Sequence, residues 1–494
     1  ELVTCPRPTL SRLAVELRQA VAGQRIDPGW WEVYNWYVGK EEWAASLARI
    51  VQGLFYRLEE ARLPYDLVKS LYGAAGILRT SVSRLEKFQA CPFAHFLTYG
   101  LKLRERAEFQ AGAPDLGQFF HAGLEQFYYL LRERGLRWGE LTKQEMKRLV
   151  DEIVEQLVPL LQNEVLLSTA RSRYLVGKLK RILWRAVVVL GEHERRGTFR
   201  PVGMEIGFGE KGQLPGLTFT LADGTKILLR GRIDRVDAAQ DERGTYLRVI
   251  DYKSGAASLS LPEIYYGLKL QLLTYLDVVL THAAFLLSGG ADAAAGQEQV
   301  AAAGSVRSSV AASGQSSAPG TVLPGGVLYF SLKDPLIAAK GPLTEEEIEK
   351  KILASLKMKG YLLQDERVVR LMDQEMQGRS LLLPVALTKD GDFYKNAQNI
   401  LSREKFDILC RQVEKQLCAI GDEIMAGKAA IHPSRCNGKI PCAYCAYAAV
   451  CRFDLSVPGY AFRFLPEKEP AELWQEMGLT REAENEMRLS NEEK

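Results

Sequence analysis

Between residues 198 and 256 the spacing of apolar side chains changes from the helical period to a period of two, and this change limits the fold more than any other feature of the chain. The segments "RPVGMEIGFGE", "LTFTLADGTKILLRGRIDRVDAA" and "TYLRVIDYKSG" read as strands joined by turns that carry Gly and Asp. On either side the pattern is helical. Residues from about 115 to 196 read as almost continuous helix, and "LPEIYYGLKLQLLTYLDVVL" reads as a helix with Pro262 near its start. Strands set between helices predict an α/β fold.

The chain has 494 residues, of which 47% are hydrophobic and 25% charged, enough for two to four domains with buried cores. Its net charge of +3 supplies no global basic field, so any nucleic-acid path must be a local groove. No apolar run reaches the length of a membrane span, and the first residues lack a signal-peptide pattern, so the expected location is the cytoplasm. The opening "ELVTCPRPTL" reads like the inside of a domain, which makes a fragment of a longer protein the expectation. No G-x-x-x-x-G-K-[ST] loop occurs, so ATP hydrolysis by that route is not expected. Residues 288–320 are Ala, Gly, Ser and Gln with hardly a large apolar side chain, and a disordered insertion is expected there. Strand-like "GGVLYFSLKDP" follows it, then helices to about residue 430, a cysteine-rich knot at 436–454 and an acidic tail.

The candidate chemistry begins in "RVIDYKSG". Alternation along a strand puts Leu247, Val249, Asp251 and Lys253 on one face. The short connection from "LLRGRIDRVDAA" predicts an antiparallel hairpin that brings Asp234 beside Asp251. Two neighbouring carboxylates at an apolar strand end repel unless a cation sits between them, and magnesium, which seeks hard oxygen ligands, would relieve the repulsion. Lys253 could then orient or activate water and stabilise charge on a phosphate. Downstream, Gln271 and Tyr275 are four residues apart on one helix face. His121 and Glu125 have the same spacing on an earlier helix.

The succession "HAGLE", "GRIDRVD", "VIDYKSG", "QLLTY" resembles the RecB-type branch of the PD-(D/E)xK nucleases. The resemblance implies a core of a mixed central sheet flanked by helices, with extra helices and a C-terminal metal-binding segment. It implies His121, Asp234 and Asp251 as magnesium ligands, Lys253 as the catalytic lysine, and Gln271 with Tyr275 as the element near bound DNA.

Eight cysteines in a cytosolic chain are not expected to form disulfides. Cys442, Cys445 and Cys451, at C-x2-C-x5-C spacing, cluster three thiolates and so call for a metal. Locality offers Cys436 as the fourth ligand, and spacing does not separate zinc from an iron–sulfur cluster. Together, "SVSRLEKFQACPFAHFLTYGLKLRER" and "PCAYCAYAAVCRFD" resemble the AddB (RexB) family of helicase–nuclease subunits. That resemblance implies a [4Fe–4S] cluster on Cys91, Cys442, Cys445 and Cys451, DNA ends and single strands as substrate, 5′→3′ cutting, and an AddA-type subunit as partner. It divides the chain into the mainly helical end of a helicase-like region at 1–78, a nuclease domain at 79–455 and a tail at 456–494. A stand-alone Cas4-like nuclease and a non-catalytic iron–sulfur DNA-binding module are the competing readings.

Overall fold

Three of the pleated segments between residues 200 and 253 join three later strands in the sheet that carries the site. The computed structural model describes residues 3–56, 62–106, 113–159, 170–255, 257–288, 321–394 and 397–479. Strand β1 is Ile77–Thr80, β2 Arg200–Phe208, β3 Thr218–Thr220, β4 Lys226–Leu229, β5 Gly231–Asp241, β6 Gly244–Lys253, β7 Val322–Ser331, β8 Lys359–Leu363 and β9 Ile400–Leu401. The main sheet has the order β2-β5-β6-β7-β8-β9 and is mixed. β5 and β6 form the expected antiparallel hairpin, and β6 pairs with β7 in parallel.

Helices cover the sheet on both faces. With α1 as Pro6–Val21, α2 as Gly29–Val38, α3 as Glu41–Leu54, α4 as Tyr65–Leu71, α5 as Val82–Ala90 and α6 as Pro92–His95, the three that concern one face are α7 Ala113–Glu133, α8 Lys143–Leu157 and α9 Ala170–Arg196. These three pack on one another, and α7 reaches β2. After α10 at Leu261–Tyr265, helix α11 at Gln271–Thr281 lies on β6 and β7 and meets the long helix Arg403–Met425. Helices α1 to α3 have a small core of their own, built on Leu13, Trp30, Tyr37 and Leu47.

The back of the hairpin is charged and buried. Arg235, Asp237 and Arg248 are at most 1% exposed. Asp237 accepts from Arg235 Nε at 2.6 Å and Arg248 Nε at 2.8 Å, while Glu194 of α9 takes Arg235 at 3.3 Å. Trp138 and Phe199 lie against the two guanidinium groups. Alternation turns Asp234 and Asp251 to the opposite face, where α11 lies.

Three expectations change. The run "LTFTLADGTKILLRGRIDRVDAA" is three strands: β3 and β4 turn back at Asp223, and β4 pairs in parallel with β1 in a separate three-stranded sheet before β5 begins at Gly231. The helix expected over 261–280 is broken between Tyr265 and Gln271 at Gly267, whose φ of +75° suits glycine, so Gln271 opens a new helix. The stretch expected to be helical up to about 430 contains β8 and β9. At Gly360 a side chain would meet the Val327 carbonyl at 2.0 Å, so only glycine admits this close strand approach. The insertion expected at 288–320 lies, apart from Ser288, outside the described residues. Among the described residues no helix is long and apolar enough to cross a membrane.

Candidate active site and cysteine cavity

Antiparallel register puts two acids together at the end of the hairpin. The pair Arg235↔Ile250 is followed, one step on, by Asp234 opposite Asp251. Asp234 Oδ2 accepts from the Tyr252 amide at 2.7 Å, which fixes one carboxylate oxygen and leaves Oδ1 facing His121 at 3.4 Å. His121, brought in by α7, also places Nδ1 2.9 Å from Glu205 Oε1. His121, Glu205 and Asp234 therefore bring three ligand atoms within 4.8 Å of one another.

Glu205 reaches this position by an unusual backbone. Its φ of +50° inside β2 lies in the left-handed region, which a glutamate adopts only when its surroundings hold it there. The irregularity in the β2 pairing between Pro201 and Gly203 precedes it.

Asp251 is 1% exposed. Its Oδ1 has no hydrogen-bond partner, and Oδ2 faces Lys253 Nζ as an ion pair at 2.5 Å. Burial, and after it the Asp234 carboxylate, push its carboxyl up to about 7. For His121, burial works to lower the imidazole pKa, but the hydrogen bonds and charges of Asp234 and Glu205 outweigh it and raise the value to about 10. Without a metal, then, a proton on His121 supplies the cation that the acids require.

Lys253 Nζ is also 3.3 Å from Gln271 Oε1, and Gln271 Nε2 donates to the Tyr275 hydroxyl at 2.8 Å. That leaves the Tyr275 proton free to donate elsewhere. Glu125, on α7, has its carboxyl raised by burial and by the nearby Glu205 charge. His121, Asp234, Asp251, Lys253, Gln271 and Tyr275, all expected from the sequence, thus form one connected set. Glu205 was not anticipated, because "GMEIGFGE" reads as plain alternation. Its sequence signal is an acid inside an apolar strand flanked by glycines.

At the C-terminal end of α5, Cys91 lines a cavity of about 470 Å³ together with Cys442, Cys445 and Cys451. Burial, and then the thiols of Cys91, Cys451 and Cys445, push Cys442 up to about 11. Burial likewise raises Cys91 and Cys451. Cys436 does not line this cavity. It lies buried in β10, Ser434–Cys436, paired with β11, Arg463–Leu465, and its electrostatic neighbours are Glu263, Lys439 and Glu467.

Residues 79–452 match the profile of the PD-(D/E)XK nuclease superfamily. The chain belongs to that superfamily. Residues 1–53 match the fifth domain of ATP-dependent helicase/deoxyribonuclease AddB. The chain is 46% identical, over 97% of its length, to an ATP-dependent helicase/deoxyribonuclease subunit of Pelotomaculum thermopropionicum. It is 45% identical over 95% to the same subunit of Desulforamulus reducens, and 44% identical over 97% to that of Heliobacterium modesticaldum. In each case it spans 38% of the relative's length.

PD-(D/E)XK nucleases work with a divalent metal, and the residues here fit one. The candidate ligand set is carboxylate oxygens with one imidazole, and Asp251 keeps a buried oxygen without a partner. Metal ligation by His121 would displace the proton it holds in the metal-free protein.

Proposed function

We propose that this chain is the nuclease portion of an AddB-type helicase–nuclease polypeptide, a magnesium-dependent DNA exonuclease that cuts 5′→3′ at double-strand ends and on single strands. Its partner is an AddA-type helicase–nuclease subunit, the process is break resection for recombinational repair, and the compartment is the cytoplasm. The observation that carries the reading is the adjoining pair Asp234 and Asp251, with Lys253 held 2.5 Å from the second acid.

His121, Glu205, Asp234 and Asp251 would hold the metal, which when bound supplies charge neutralisation and Lewis acidity at the phosphate. Lys253, fixed between Asp251 and Gln271, orients the attacking water and answers negative charge developing on the phosphate. Tyr275, whose hydroxyl already accepts from Gln271, has a proton to give to a phosphate oxygen.

Cys91, Cys442, Cys445 and Cys451 are the proposed ligands of a [4Fe–4S] cluster. Their common cavity, and the absence of Cys436 from its lining, support that set. The cluster would join α5 to the C-terminal knot across a loop whose closure entropy grows only logarithmically with length.

The test uses DNA labelled at the 5′ or the 3′ end, incubated with the protein in magnesium or in chelator. Short products released first from the 5′-labelled end, in magnesium only, are expected. Cleavage that persists in chelator contradicts the metal-dependent reading, and early release from the 3′ label contradicts the polarity.

A further inference from the structure

Helix α11 carries Gln271 and Tyr275, yet its start has no cap of its own. Leu270 stands at the N-cap and makes no side-chain cap hydrogen bond. The chain immediately before it is the break at Gly267, where the Leu268 and Lys269 amides turn back onto the Glu263 carbonyl. An α-helix begins with amide groups that lack intrahelical acceptors, and its N-terminal dipole favours a negative charge there. Both needs are met by a residue 184 positions earlier in the sequence: Glu86 Oε1, from α5, accepts from the Leu270 amide at 2.6 Å and the Gln271 amide at 3.0 Å.

The same face of α5 holds the other side of the break. Gln89 donates to the Tyr266 carbonyl at 2.6 Å, so α5 grips the chain both before and after Gly267. Its C-terminal boundary is Cys91. Helix α5 is thus a strut from the cysteine cavity to the first turn of α11.

We propose that Glu86 is a positioning residue for the nuclease reaction: by capping α11 from outside, it fixes Gln271, and through Gln271 it holds Lys253 at the scissile phosphate. Gln271 is the first residue of α11, so a fray of that turn displaces it before any other residue of the helix. The Gln271 contacts to Lys253 at 3.3 Å and Tyr275 at 2.8 Å then loosen together. The rest of α11 is anchored independently by buried Leu272, Leu273 and Leu276, so losing the cap need not unfold it.

The inference rests on the nuclease reading above, and the experiment separates the two. Single-turnover cleavage of labelled DNA at saturating magnesium is measured for the full chain and for Glu86→Ala, Glu86→Gln, Gln271→Ala, the double variant Glu86→Ala/Gln271→Ala, and Asp251→Ala. DNA affinity, measured with calcium in place of magnesium, and iron content are followed alongside. Glu86→Ala is expected to slow cleavage by about tenfold or more, as small misplacements of a reacting group do, with DNA affinity and iron unchanged. Glu86→Gln keeps an acceptor oxygen and should fall between the two. In the Gln271→Ala background, Glu86→Ala should add less than about a twofold loss, because residues that act through one another do not add.

A purely structural role predicts multiplicative losses and a fall in DNA affinity or iron, and that pattern overturns the proposal, as does a wild-type rate for Glu86→Ala. Should Glu86→Ala fail to fold, Glu86→Gln with and without Gln271→Ala decides the matter by the same non-additivity. If Asp251→Ala still cuts, the nuclease reading itself fails. If Asp251→Ala is inactive while both Glu86 variants are normal, only this inference does.

Discussion

Replacing Asp251 by Asn should stabilise the metal-free protein while abolishing its chemistry. The side chain is 1% exposed, so solvent does little to screen its charge. Burial, and next the neighbouring Asp234, lift its carboxyl to about 7 from an ordinary 3.8. Between those values the unfolded chain has released the proton and the folded chain still binds it. Stability therefore falls as the pH rises from about 4 to about 7, and stays low above. About three pH units at 1.36 kcal/mol each amount to about 4 kcal/mol. The attraction of Lys253 is already included in that balance, since it is one of the influences that set the carboxyl's pKa. Asn keeps the shape and cannot ionise. In chelator at pH 8, urea denaturation followed by tryptophan fluorescence should find Asp251→Asn more stable by about 4 kcal/mol, narrowing to about 2 kcal/mol at pH 5.5. Magnesium should then stabilise the wild type more than the variant, because only the wild type gains relief from the ion. A variant no more stable than wild type at pH 8, or a gap independent of pH, refutes the reasoning.

Two further outcomes follow from burial elsewhere. Asp237→Ala removes the acid shared by Arg235 and Arg248, leaving two buried guanidinium groups with Glu194 3.3 Å from one of them; unfolding should become easier by about 3–5 kcal/mol, and a loss under about 1 kcal/mol in thermal denaturation would contradict the network. Cys91→Ser should lose iron and acid-labile sulfide when purified anaerobically, while Cys436→Ser keeps both; the reverse result moves the site to the local knot, and one bound zinc with no iron in either protein changes the metal.

Much of the site is legible in the sequence because its parts obey local rules. A short hairpin connection and a period of two suffice to set Asp234 against Asp251 and to turn Lys253 the same way. Helical spacing suffices for Gln271 and Tyr275. Other features depend on contacts that no local rule carries. Glu205 meets His121 across 84 positions and through a left-handed backbone angle that its sequence does not advertise. The break at Gly267 looks, from periodicity alone, like the interior of a helix, since its flanks keep the apolar spacing. The Cys91 contribution to the cavity spans most of the chain and was expected only from family resemblance, since proximity in sequence favoured Cys436. Nothing in the sequence marks Arg235 and Arg248 as buried, and only the packing of Glu194 and Trp138 on Arg235 and of Phe199 on Arg248 reveals the network.

The central claim is that Asp251 and Lys253 cut DNA that the rest of the chain binds. Its most direct test is magnesium-dependent cleavage by Asp251→Ala and Lys253→Ala, with DNA affinity and melting temperature measured on the same preparations. Both variants should bind DNA as tightly as wild type and remain folded while cleavage disappears, because the chemistry and not the scaffold loses a part. Wild-type cleavage by a pure Asp251→Ala preparation would contradict the assignment.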